Sequence, residues 1–204
     1  MFRSLKKIKK NGGMTYVELI VVLSIFATMS SIVVFNYGDF QARVDIKNLA
    51  NDIALKVVEA QKSAVFGIMP PVAQQALITS VETWKPAYGM YFNLTSDRQS
   101  FIYFTDADSN NLYQDSNCTG ECIEKISINK GNSISALDVF YEGDTNPHSF
   151  NDISVTFTRP NLGAEIRSTT VFSGTVSYVQ ATILSPKGNT AAVKIYASGR
   201  VQIN

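Results

Sequence analysis

Histidine occurs once in this chain, at His148, and cysteine only twice, at Cys118 and Cys122. The lone histidine lies in the turn-like run Asp144-Thr145-Asn146-Pro147-His148 and has no recognisable serine or cysteine partner, so nucleophile-and-base catalysis has no foundation. No glycine-rich phosphate loop is present, and paired carboxylates occur only in one acidic turn. The expectation is a protein that is not an enzyme and has no small-molecule substrate. Charge is also scarce, at 17% of residues, and is absent altogether from Leu19 to Phe35. Proline is absent before Pro70. What is plentiful is apolar surface: 45% hydrophobic residues, with 12 Phe and 9 Tyr in 204 residues, enough for one folded domain with appendages.

The charge is segregated. Five of the 18 basic residues (Arg3, Lys6, Lys7, Lys9 and Lys10) stand in the first ten positions, and no acid precedes Glu18. Removing residues 1–13 takes those five bases and none of the 17 acids, which leaves a formal charge of −4. That balance argues against a generic DNA-binding surface and leaves open only a local basic patch.

Glu18 is the only ionised group between Lys10 and Asp39. Residues 17–35 make a stretch of roughly 28 Å as a helix at about 1.5 Å per residue, sufficient to cross a hydrocarbon layer of about 30 Å. The basic start favours an N-terminus held in the cytoplasm, with everything after Phe35 outside. An ordinary signal peptide would use residues 19–27 as its apolar core and Ala27-Thr28-Met29-Ser30 as a poor cleavage site. The apolar stretch runs past that site. It also opens on a carboxylate, whose transfer into lipid costs about 2.5–3.5 kcal/mol at the bilayer centre and less near the interface.

Gly12-Gly13, followed by Met14, Thr15 and Glu18 at the head of an apolar helix, resembles the class III leader of type IV prepilins and type II secretion pseudopilins. The resemblance implies cleavage between Gly13 and Met14 by a prepilin peptidase and N-methylation of Met14. It makes Glu18 the fifth residue of the mature chain, pairing with the N-terminal amine of a neighbouring subunit. It further implies partners in other pilin or pseudopilin subunits and in an inner-membrane assembly platform. A buried carboxylate needs such a partner. Two departures matter. Phenylalanine is usual where Met14 stands, and the proline common in the membrane helix of major pilins is missing, which points to a minor subunit. Gly38 offers a softer point instead.

Beyond the apolar stretch, Ile46, Leu49, Ile53, Val57, Ala60 and Ala64 recur at steps of three or four with polar residues between them, an amphipathic pattern that ends near Gly67 and Pro70-Pro71. Asp52 and Lys56 stand at i,i+4. One helix over 15–66 is expected, although a separate membrane anchor joined to a domain helix shares the same periodicity. The pattern then turns to strands at 88–93, 100–105, 123–128, 134–140, 153–158, 176–184 and 191–197. The expected fold is α+β, with a long helix packed on an antiparallel sheet in the manner of pilins. Its parts are a cleaved leader (1–13), a membrane and assembly helix (14–38), an amphipathic helical half (39–66) and a strand-rich head (67–204). Ser198-Gly199-Arg200-Val201 and Phe157-Thr158-Arg159-Pro160 are similar to segments of H-type pseudopilins and related minor pilins.

Asp106, Asp108, Asn110, Leu112 (through its carbonyl) and Asp115 have the spacing by which a tight loop points oxygens at calcium. The loop has Asn111 where glycine is expected and no glutamate at the twelfth position, and a solvated acidic turn has the same composition. Cys118 and Cys122 close a small disulfide if the head is exported, since zinc would need further ligands and the three-residue spacing is not that of a redox motif.

The leading expectation is therefore a minor pilin or pseudopilin of a type IV pilus-like or type II secretion filament. It begins as a single-pass inner-membrane protein and ends in an extracellular or periplasmic filament. The alternatives are a membrane-tethered binding module or adhesin that never polymerises, and a DNA-uptake minor pilin, which the −4 charge disfavours.

Overall fold

The computed structural model describes residues 12–78, 84–115, 118–161 and 163–204. The basic residues of the expected leader, Arg3 to Lys10, lie outside the described residues. Among the described residues the fold is α+β: one long helix, a short one and ten strands in two antiparallel sheets. Helix α1 spans Tyr16–Val65, within a residue of the expected 15–66 at each end, and its helical hydrogen bonding continues through Gly38. The chain divides into two compact units, Met1–Gln41 and Ala42–Asn204.

In the first unit, the described residues up to Phe35 are all exposed except Ser30, which is half-buried. Two hydroxyls inside the apolar run are satisfied locally, Ser24 donating to the Val21 carbonyl and Thr28 to the Ile25 carbonyl, each at 2.8 Å. Such back-bonding removes the cost of a hydroxyl in apolar surroundings.

In the second unit, the remainder of α1 presents a buried stripe of Ile46, Ala50, Ile53, Val57, Ala60 and Ala64. Ala50 takes the fully buried place expected for Leu49, which is only partly covered. The helix stops in a Schellman motif: the Gly67 N–H donates to Ala64 O and the Ile68 N–H to Ser63 O, both at 3.1 Å, with Gly67 at φ +64°. Only glycine adopts that left-handed turn cheaply, which is why the apolar pattern ends there. Lys56 does not pair with Asp52. It reaches Glu59 at 3.1 Å and, across the fold, Glu124 at 2.9 Å.

After the four-residue helix α2 (Val72–Gln75) come β1 (Ala87–Asn93), β2 (Asp97–Thr105), β3 (Cys122–Ser127), β4 (Ser133–Tyr141), β5 (His148–Ser149), β6 (Asp152–Thr158), β7 (Ala164–Arg167), β8 (Val176–Leu184), β9 (Thr190–Tyr196) and β10 (Val201–Ile203). Instead of one sheet there are two, ordered β3-β2-β1-β6-β7 and β10-β9-β8-β4-β5. Strand β8 matches its expected bounds, while β5, β7 and β10 were not anticipated. Their inward residues and the α1 stripe form one core that includes Tyr88, Phe92, Phe157, Leu137, Ile183 and Ile195. The period of two slips once in β4, where a bulge lies between Ile134 and Ala136 and the buried residues run Ile134, Leu137, Val139.

Strand β2 departs from alternation more deeply, with every residue from Ser100 to Thr105 buried. On its second face Ile102 and Phe104 are covered by Tyr113 and Cys122, the four forming a smaller apolar cluster. Gly89 in β1 is required by this double burial. A Cβ there would stand 2.6 Å from the Val155 carbonyl oxygen and 2.7 Å from the Phe104 ring.

Candidate functional site

Two places hold the expected functional residues. The first is the start of α1. Thr15 is its cap: the side-chain Oγ1 accepts the Glu18 backbone N–H at 3.2 Å, and its carbonyl accepts the Leu19 N–H at 3.0 Å. The Thr-x-x-Glu spacing is the signal for a helix start, and it fixes Glu18 in the first turn, where a carboxylate faces the positive end of the helix dipole. Met14 lies two residues before the helix, and neither a Cβ on Gly12 nor one on Gly13 would meet any atom within 4 Å. Among the described residues nothing packs against these two glycines, and Met14 is exposed. The Glu18 side chain makes no hydrogen bond or ion pair among the described residues, and the residues that follow it up to Phe35 are exposed except for Ser30. One 18-residue window of α1 has a mean hydropathy of 2.3 and none of it is buried, so among the described residues one helix is long and apolar enough to cross a membrane.

The second place is the loop after β2. Asp106 is 1% exposed, and its carboxylate accepts the backbone N–H groups of Asn110 at 3.1 Å and Asn111 at 2.9 Å. The Asp108 carboxylate accepts the Asn110 N–H at 3.2 Å and its side-chain amide at 2.6 Å, and Asn110 Oδ1 accepts the Leu112 N–H at 2.7 Å. Asn111 takes the left-handed conformation at φ 62° and its amide oxygen accepts the Thr156 hydroxyl.

Of the five expected ligands, the loop brings Asn110, which bonds to both carboxylates, together with Asp106 and Asp108. The two carboxylates have a third acidic neighbour in Glu121, one oxygen from each of the three acids lying within 4.8 Å of the others. Asp115 is not in that group. Its Oδ1 accepts the Thr119 hydroxyl at 2.9 Å. Glu121 was missed because its contact is made through the sheet: the Thr105 N–H donates to the Glu121 carbonyl, and the side chain then accepts the Ala107 N–H at 2.8 Å.

Burial, reinforced by the charges of Asp108 and Asp106, pushes the Glu121 carboxyl up to about 7. Burial and sharing with Asp108 push Asp106 up as well, against the pull of its backbone N–H bonds. Three oxygens of this kind suit a hard cation such as calcium, and they equally suit a turn that holds a proton among its acids.

Cys118 and Cys122 form a disulfide with their Cα atoms 4.8 Å apart, which closes the segment carrying Glu121. His148 is occupied locally. Its Nε2 lies 2.9 Å from Asp144, holding that exposed carboxyl below its usual range, and its ring packs on Tyr141 at 4.7 Å.

No family model, no curated protein and no solved structure matches this chain.

Proposed function

We propose that this chain is a minor subunit of a type IV pilus-like or type II secretion filament, anchored by α1 in the membrane and then assembled through that helix. The observation that carries the reading is the complete exposure of the apolar window of α1, in a helix whose later half buries one face in the head's core. A folded soluble chain does not leave such a surface uncovered, and lipid followed by neighbouring helices supplies the cover. The exposed Gly12-Gly13-Met14 segment and the capped Glu18 give the filament reading its particular form.

Cleavage at Gly13–Met14 places a positive amine beside the positive end of a helix, an unfavourable combination that a carboxylate offsets. Glu18 supplies it to a neighbouring subunit, and its own desolvation is offset in return. A non-polymerising tether would need the apolar stretch but not this carboxylate. The test is incorporation of Glu18→Ala into filaments in a host that expresses the assembly machinery. Strongly reduced incorporation with normal membrane levels is expected, and wild-type incorporation would refute the role.

A further inference from the structure

Between Lys62 and Glu82 the sequence holds no charged residue. This uncharged stretch begins in the last turn of α1 and takes in α2, all within the unit Ala42–Asn204. Among the described residues it leaves Val65, Phe66, Ile68, Met69, Val72 and Leu77 exposed, Phe66 at 73% and Val72 at 81%. Their apolar surface is on the order of 600 Å², the upper end of what a soluble monomer exposes in one patch.

The polar side chains of the segment turn the other way. Gln74 Nε2 donates to the Gly120 carbonyl at 3.2 Å and to the Cys122 carbonyl at 2.6 Å, and Gln75 Nε2 donates to the Pro70 carbonyl at 2.7 Å. The Tyr88 hydroxyl donates to the Ile68 carbonyl at 2.7 Å, and Pro70 is buried. Hydrogen bonds therefore fix the backbone from inside while the apolar side chains face solvent, and a surface held in this way loses little entropy on binding.

The two ends of the surface differ in charge. At the Phe66 end, exposed Lys62 stands one helical turn earlier, and Arg159 lies over Gly67, its Nη1 2.5 Å from the place of a Cβ on that glycine. At the other end, Leu77 shares the walls of a cavity of about 350 Å³ with Asp108, Asp115 and Glu121. An uncharged middle between a basic and an acidic end is self-complementary. A two-fold axis crossing the middle sets the basic end of one copy on the acidic end of the other.

We propose that this surface pairs two copies of the chain in an isologous dimer centred on Val72. About 1,200 Å² is covered in total, the low end for a specific interface, so the pairing is weak and reversible. Subunits of one polar filament point the same way, so a two-fold contact joins subunits of two filaments. That consequence rests on the filament reading, whereas the pairing itself does not.

The experiment places the full chain in nanodiscs at one chain per disc, in calcium-free buffer. Sedimentation velocity follows the pairing of discs up to roughly 100 µM chain, above the micromolar range of weak interfaces. Wild type should pair in a concentration-dependent manner. V72D should weaken pairing at least about tenfold, because two like charges meet near the axis. K62E should weaken it too, and K62E/D108K should recover it, since the exchanged charges again oppose one another. Val72 and Lys62 are exposed, so V72D and K62E should melt like wild type. Discs that stay single to the highest concentration, V72D pairing like wild type, or K62E/D108K pairing no better than K62E would overturn the proposal. Glu18→Ala separates it from the filament reading: that variant should pair like wild type, and loss of pairing would place the contact on α1 instead.

Discussion

Thr15 Oγ1 accepts the backbone N–H of Glu18 at 3.2 Å, so the residue that caps α1 also fixes where its only early carboxylate stands. The two positions have separable roles. Thr15→Ala removes the cap at a cost of about 1 kcal/mol to the first helical turn. Amide exchange at residues 17–19 should speed up several-fold while melting of the head is unchanged, because the cap lies in the first unit. Unaltered exchange would show that the start of α1 does not depend on Thr15.

Gly89→Ala tests the close packing of β1 against Val155 and Phe104. The added carbon would meet the Val155 carbonyl and the Phe104 ring, and overpacking of this kind costs about 1–3 kcal/mol. A lower denaturant midpoint for the soluble head is expected. An unchanged midpoint would mean that β1 and the cover over it have room to separate.

The acidic loop predicts a particular pH dependence. Glu121 is held up to about 7, above its ordinary value of 4.5, so the folded state binds a proton more tightly than the unfolded chain. The resulting stability is fully present below pH 4.5 and is lost as pH rises through 7. Asp97, held low first of all by its bond to Lys125, acts the other way and only in the acid range. Melting should therefore fall by a few degrees, on the order of 3 °C, between pH 5 and pH 8, and Glu121→Gln should flatten the slope. Calcium added at pH 8 decides between the two readings of the loop. A rise in melting temperature that Glu121→Gln abolishes identifies a cation site, and no rise identifies an acidic turn.

The Cys118–Cys122 link closes a loop of only a few residues, for which the chain-entropy model gives about 2 kcal/mol. Reduction, or Cys118→Ser with Cys122→Ser, should lower the melting temperature by several degrees and blunt the pH slope set by Glu121. Loss of stability without any change in that slope would show that the disulfide does not position the glutamate.

Much of this architecture was legible wherever one local pattern decides the outcome. The three-and-four spacing of Ile46, Ile53, Val57, Ala60 and Ala64 gave the buried face of α1, and Gly67 marked its end through backbone conformation alone. Strand pairing is a different matter. β1 joins β6 and β4 joins β8 across long separations, and nothing local records that the strands sort into two sheets. Residues 164–167 and 201–203 are too short for a period of two to be visible. In the acidic loop the alternating oxygens identified Asp106 and Asp108, but Glu121 arrives through β3 pairing with β2, a tertiary contact without a sequence signature.

The central claim is that α1 belongs to a processed filament subunit, and mass spectrometry of the chain's N-terminus in sheared filaments tests it most directly. The account predicts a chain beginning at N-methylated Met14 and present in the filament fraction. A chain found only in membranes and still carrying residues 1–13, or cut near Ser30, would contradict it.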